Sequence, residues 1–325
     1  MFAPLAIAGT VFLALYAILF VSILQLVISR PVKEGIGSRW FILFFHVLVR
    51  LASQAVAIAF GVLVWKEWQL LVVYLVLAVE GYFSLVLFMA RQLVWFEHHA
   101  FGTSWLAPSE GEISKARKAR GGEKRALWKR LLGGEGGVMP WIHWLLIGAN
   151  AMIITGGSLL TSGKSDLSSS SGIAGAEANW SSNSNLQTCK VLRAVGQSIF
   201  LLINIALAAS LASCAIRYKN SSMAKWHLTL VPLVVAWPFL AARGAFGIAQ
   251  AVDDSLIYYN PAIYDQNGLS SHFVLVEYLA ATMTEWIACA LLLSTRHFDA
   301  PEPIEQKFDV ESPLHVKTEP HSLSP

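Results

Sequence analysis

The sequence predicts an all-α protein, a polytopic seven-helix transmembrane bundle, and three observations lead there. Hydrophobic residues fill 55% of the 325 positions and charged ones only 14%. Soluble domains carry about 25% charge, so most of this chain has no water-facing surface to decorate. Seven apolar runs reach the roughly 20 residues a helix needs to cross a hydrocarbon core about 30 Å thick. Basic residues, finally, are concentrated in alternate loops. This composition excludes a soluble enzyme or a nucleic-acid module, and three cysteines (Cys189, Cys214, Cys289) make no disulfide framework.

The predicted spans are residues 5–28, 40–64, 70–90, 141–160, 191–216, 227–249 and 273–293. The first has neither the positive leader nor the small-residue cleavage site of a secretory signal, and it is long enough to span, so it reads as a retained helix. The second carries His46 and Arg50, the third Glu80, and the fifth begins near Arg193 and contains Gly196. In the sixth lie Pro232, Pro238 and Arg243, which predicts a kink that neighbouring helices tolerate. The seventh holds Glu277 at its outer end and Glu285 near its middle.

Lys and Arg number eighteen in the segments 29–39, 91–140, 217–226 and the C-terminal tail. Three fall in the N-terminus and the segments 65–69, 161–190 and 250–272. Short cytoplasmic loops hold the basic excess. The split therefore predicts an exterior N-terminus, a cytosolic C-terminus and a multi-pass protein of the endoplasmic reticulum or plasma membrane. Trp40, Trp65, Trp68, Trp95, Trp141, Trp144 and Trp226 stand near predicted span ends, where indole rings gather, while Trp237 and Trp286 sit deep. The membrane domain covers residues 1–298. Its basic 91–140 loop lies against anionic lipid headgroups, and its exterior, Ser-rich 161–190 loop offers Asn179-Trp180-Ser181 as a glycosylation acceptor. Residues 299–325, punctuated by five prolines, are expected to be disordered and cytosolic.

An ionisable group at mid-bilayer costs about 2.5 to 3.5 kcal/mol even on insertion scales, so each needs a partner or a task. Arg50, Glu80, Arg243 and Glu285 fall at similar depth, and the pairs Arg50 with Glu80 and Arg243 with Glu285 are predicted. Such a quartet either holds helices in register or lines a chamber. A carboxyl without a cation in that setting keeps its proton and can act as a general acid. Asp253 and Asp254 begin the exterior loop beyond the sixth span, as solvated residues or at a cavity mouth. Trp237, Trp286 and neighbouring rings would supply faces for a cation.

Other motifs lead nowhere. Asn260-Pro261-Ala262-Ile263-Tyr264 matches a seventh-helix string of rhodopsin-like receptors but falls in an exterior loop, and no span interior holds a Lys for retinal. The histidines lack metal-ligand spacings, so no metal and no other cofactor is expected.

The stretch from Gly37 through Arg50 to Gln54, the string Trp237-Pro238-Phe239-Leu240-Ala241-Ala242-Arg243 and the string Met283-Thr284-Glu285-Trp286 together resemble a fungal family of seven-helix membrane proteins of unknown function. That resemblance marks Arg50, Arg243 and Glu285 as the family's polar positions. In size and topology the chain is also similar to fungal membrane-bound terpene cyclases of meroterpenoid pathways. The expected function is therefore a cyclase or isomerase acting on a lipid-soluble isoprenoid or epoxidised prenyl substrate. Glu285 or Glu80 would be the acid, Arg243 and Arg50 the positioning groups, and Trp286 and Trp237 the faces for the carbocation. The alternatives are a transporter or exporter of lipid-like molecules, using the same charges as gates, and an orphan receptor.

Overall fold

The computed structural model describes residues 3–29, 39–63, 69–108, 137–161, 185–219, 227–258, 260–265 and 268–297. It contains seven helices long and apolar enough to cross a membrane. They are α1 (Pro4–Ser29), α2 (Arg39–Leu63), α3 (Gln69–Phe101), α4 (Met139–Thr161), α5 (Leu186–Lys219), α6 (His227–Val252) and α7 (residues 271–294). The fold is thus an all-α bundle with the architecture of a multi-pass membrane protein. The basic cluster 115–130, the acceptor Asn179 and the tail beyond 298 lie outside the described residues.

Among the described residues every predicted span is helical, and α3 runs well past its apolar stretch. α3 continues eleven residues beyond 90, into what the sequence assigns to a loop. Hydropathy falls at Arg91, yet Gln92, Leu93, Phe96 and Glu97 keep a buried face at helical spacing, and that face carries the helix on. At about 50 Å, α3 is longer than a bilayer core. Gly102, with φ +72°, ends it. Ser104 then accepts from the amides of Leu106 and Ala107 while its hydroxyl donates to Glu97. α6 is continuous through Pro232 and Pro238.

Helices adjacent in sequence pack side by side, and α7 returns to α1 and α6. α3 runs up the middle, touching α2, α4, α5, α6 and α7, with most of residues 81–90 buried. α1 lies outermost and turns Ile7, Val11, Ile18, Val21 and Ile28 outward, as α5 does Leu202 and Ile205. An apolar exterior of this extent suits lipid and not water.

Two apolar clusters fill the interior. The larger gathers Trp40, Leu43, Phe88, Phe96, Phe200, Leu207, Leu233, Leu240 and Leu292. The smaller gathers Ala57, Phe60, Leu71, Tyr74, Cys189, Tyr258, Phe273 and Tyr278. On α2, α5 and α7 buried polar residues lie between the two clusters: Arg50, Ser53, Gln54, Gln197, Thr282 and Glu285. A polar layer therefore separates two apolar blocks.

The smaller cluster is closed by the α6–α7 connection. Asp253 caps a 3₁₀ turn (Asp254–Leu256), a second turn spans Pro261–Ile263, and a short hairpin pairs Tyr264 with Leu269 and Asp265 with Gly268. Ser270 caps α7 by accepting from the Phe273 amide at 3.3 Å. The Asn260 to Tyr264 string is thus turn and strand, not helix.

Candidate functional site

The polar layer is organised by α7. Between its two α-helical parts, Ser271–Glu277 and Thr284–Ser294, the residues Tyr278–Met283 form a π-helical turn. Eight residues of α-helix would leave Glu277 and Glu285 about 80° apart. The wider i→i+5 step removes much of that offset. Both carboxyls consequently face the bundle interior, with 5% and 0% of their surface exposed.

Glu285 is held by two guanidinium groups. Arg50 on α2 donates through Nη2 to Oε2, and Arg243 on α6 donates through Nε to Oε1 at 2.6 Å. Arg50 also donates to the Ala78 carbonyl at 3.1 Å, and Arg243 lies 5.3 Å from the centre of the Tyr82 ring. Gly81 makes room: a Cβ there would collide with the Arg50 guanidinium. His46, one turn below Arg50, directs Nδ1 at the Gly81 carbonyl, 2.9 Å away. That oxygen only accepts, so Nδ1 carries the proton.

Glu80, predicted to pair with Arg50, does not join them. It turns to the α3–α4 seam, half-buried, where Asn150 donates to it at 2.5 Å. The pairing fails on azimuth rather than depth. Gly81 occupies the face of α3 that meets Arg50, and Glu80, about 100° round the helix, faces elsewhere.

A narrow cleft opens to the bundle surface beside this triad. One wall is aliphatic, with Val72, Leu75, Val76 and Val79 of α3 and Ile153 and Ile154 of α4. The other is polar, with Arg193 and Gln197 of α5, Arg243 and Gln250 of α6, Glu277 of α7, and Tyr258. Gln250 donates to Glu277 at 2.8 Å. Burial first, and the neighbouring Glu277 second, push the Tyr258 phenol well above its ordinary pKa, so it stays a neutral hydroxyl. Arg243 belongs to both assemblies, reaching Glu285 through Nε while its Nη1 is buried without a hydrogen-bond partner.

The remaining predicted residues stand apart. Trp237 and Trp286 are half-buried against the larger apolar cluster, and Trp237 donates to the Asn204 carbonyl at 2.9 Å. Neither lines the cleft, where Tyr258 is the sole ring among the described residues. Asp253 is exposed, and two hydrogen bonds from Ser255 hold its carboxyl below the usual range. Asp254 pairs with Lys190 at 2.6 Å, tying the α6–α7 connection to α5. No cluster of His, Cys, Asp and Glu able to hold a metal occurs among the described residues.

Several residues that build the site were not foreseen. Tyr82 donates to the Leu240 carbonyl at 3.0 Å and accepts from Asn204. The Tyr278 hydroxyl donates to Gln54 at 3.0 Å. Gln197 packs against Gly247, whose missing side chain leaves room for the amide. Asn150, Gln197, Asn204 and Gln250 were visible as lone amides in apolar runs, the same signal that singled out the charges. A second groove, between α4 and α5 beside Trp105, is apolar apart from Ser210, whose hydroxyl is already donated to the Ala206 carbonyl at 2.9 Å. No family model, curated protein or solved structure matches this chain.

Proposed function

We propose that this chain is a multi-pass membrane protein that takes a lipid-soluble small molecule from the surrounding lipid into the cleft and carries it. The molecule's tail lies along the α3–α4 wall, and its polar end meets Gln197, Arg243, Gln250 and Glu277. The observation that carries this reading is the two-sided lining: a greasy wall reaches the surface, and buried polar groups stand opposite it. Binding sites are built this way, mostly apolar with a few placed polar groups.

Gly157 supplies the test. It lines the cleft, and a Cβ added there meets nothing within 4 Å. Gly157→Phe should therefore fold and fill the cleft. In proteoliposomes the variant should lose flux of a fluorescent isoprenoid amphiphile that the natural chain moves. Equal flux from both proteins, each intact by thermal melting, sinks the carrier reading.

A second reading is the cyclase or isomerase, and Glu277 favours it: a buried carboxyl on the cleft, facing the space a substrate would fill. In this version Glu277, not Glu285 or Glu80, is the proton donor, since Glu285 is held by Arg50 and Arg243 and Glu80 turns to the α3–α4 seam, off the cleft lining. Microsomes holding the natural chain would convert a prenylated epoxide to a cyclic product seen by mass spectrometry, and Glu277→Gln would abolish it. Unchanged conversion in that variant removes the enzyme reading.

A further inference from the structure

We propose that Glu277 takes up one proton when a neutral molecule enters the cleft and returns it to water when the molecule leaves, so that the cargo is bound together with a proton. The inference rests on the carrier reading above and adds what is bound along with the molecule.

The two buried carboxyls of α7 are held in different ways. Glu285 has a guanidinium on each oxygen, which keeps it an anion. Glu277 is 5% exposed, lines the cleft and forms no ion pair among the described residues. Its hydrogen bond comes from a neutral amide, Gln250 Nε2, at 2.8 Å. An arginine offers only donors and suits only the anion. An amide carries a donor and an acceptor, so Gln250 suits either state of the carboxyl: it donates to the carboxylate, and once turned over it accepts from the acid.

Charged and titratable groups face Glu277 from several elements. α6 brings Arg243, α5 brings Arg193, which has partners of its own, and α2 brings Arg50 from beyond Glu285. The α6–α7 connection brings Tyr258, α3 brings Tyr74, and α7 itself has Tyr278. α1 adds only Leu5, Ala8 and Phe12 to the surrounding cluster. The guanidiniums favour the carboxylate, and burial favours the acid. The cleft lies at the end of the bundle that carries the connection, where water reaches its mouth and supports the charge. A tail laid on the aliphatic wall excludes that water. Attraction to the guanidiniums does not offset the loss, because a buried pair compensates its desolvation only in close, hydrogen-bonded geometry, and Glu277 has no such contact with an arginine. The carboxylate therefore takes a proton from water and becomes a neutral acid. Phenols and guanidiniums ordinarily change charge only well above neutral pH, so Glu277 is the member of this set that titrates there. His272, at the start of α7, is exposed.

The experiment uses the full chain in lipid nanodiscs and farnesol, which has no titratable group of its own. Titration calorimetry between about pH 5 and 9, in buffers of differing ionisation enthalpy, counts protons taken up per farnesol bound. Gly157→Phe, with its cleft filled, serves as the blank for farnesol entering lipid. The natural chain should take up as much as about one proton per farnesol, and affinity should fall up to roughly tenfold per unit as pH rises through that range. In Glu277→Gln the uptake should vanish and the affinity, at whatever level, should be flat with pH; any share from His272 would survive there. Farnesol bound by the natural chain with no proton taken up at any pH overturns the inference and leaves the carrier reading standing. Uptake undiminished in Glu277→Gln also overturns it. If farnesol does not bind, or Gly157→Phe binds it as the natural chain does, the carrier reading falls and this inference falls with it.

Discussion

Glu285 is the residue on which the interior depends. Two guanidiniums are buried against its two oxygens, and removing one member of a buried ionic group costs more than the group itself contributes, because the others stay desolvated. Glu285→Gln should therefore destabilise the protein by about 3 kcal/mol, read as a lowered denaturation midpoint in detergent. An unchanged midpoint contradicts the triad. Glu80→Gln should cost no more than about 1 kcal/mol, because the glutamine keeps an oxygen for Asn150. The glycines offer a paired comparison. Gly81→Ala puts a methyl group onto the Arg50 guanidinium and should destabilise, whereas Gly157→Ala meets open space and should not. Denaturation of both variants side by side checks this, and equal stability would mean Arg50 does not lie against Gly81. The sequence displayed all of these side chains and even the three that associate. It did not display their pairing, because depth can be counted along a helix while the direction a side chain faces depends on how that helix is rotated in the bundle. Arg50 and Glu80 are at matching depth and still do not meet.

Among the helices, α7 carries the decisive irregularity. Its π turn at Tyr278–Met283 lets Glu277 face the cleft while Glu285 faces the arginines. Deleting Ala280 would restore plain α-helix with Glu277 and Glu285 seven residues apart and still on one face, whereas inserting an alanine after Ala280 should turn the first half of α7 by about 100°. Glu277 would then leave Gln250, and ligand binding should weaken at least about tenfold while the Glu285 pairs survive. Binding by the insertion variant equal to that of the natural chain would show that the direction Glu277 faces is dispensable. Nothing in Tyr278-Leu279-Ala280-Ala281-Thr282-Met283 announces such a turn, since its apolar content reads as ordinary helix. Packing imposes it. The extended end of α3 is a milder case, for its buried Gln92, Leu93, Phe96 and Glu97 do repeat at helical spacing, and only the drop in hydropathy hid it.

For the bundle as a unit, the sharpest expectation concerns orientation. The eighteen-to-three division of basic residues predicts that the α6–α7 connection and residues 161–190 lie outside the cell or in the lumen. Asn179 should then be glycosylated: glycosidase digestion should shift the band on a gel, and Asn179→Gln should remove the shift. A tag at the C-terminus should be reached by antibody only after permeabilisation. A tag accessible on intact cells would reverse the assignment.

Composition and spacing alone were enough for the class of protein, the number and place of the helices, and the identity of the charges that cannot be left alone. Length, apolarity and the cost of an unpaired charge are properties of each segment in its solvent, and they need no neighbour to be evaluated. The partnership of Glu285 with two arginines, the exclusion of Glu80 and the two-sided cleft arise only when α3, α6 and α7 are set at particular rotations against one another. Those rotations follow from contacts such as Gly81 on Arg50 and Gly247 on Gln197, which join residues far apart in the chain and have no trace in any local pattern.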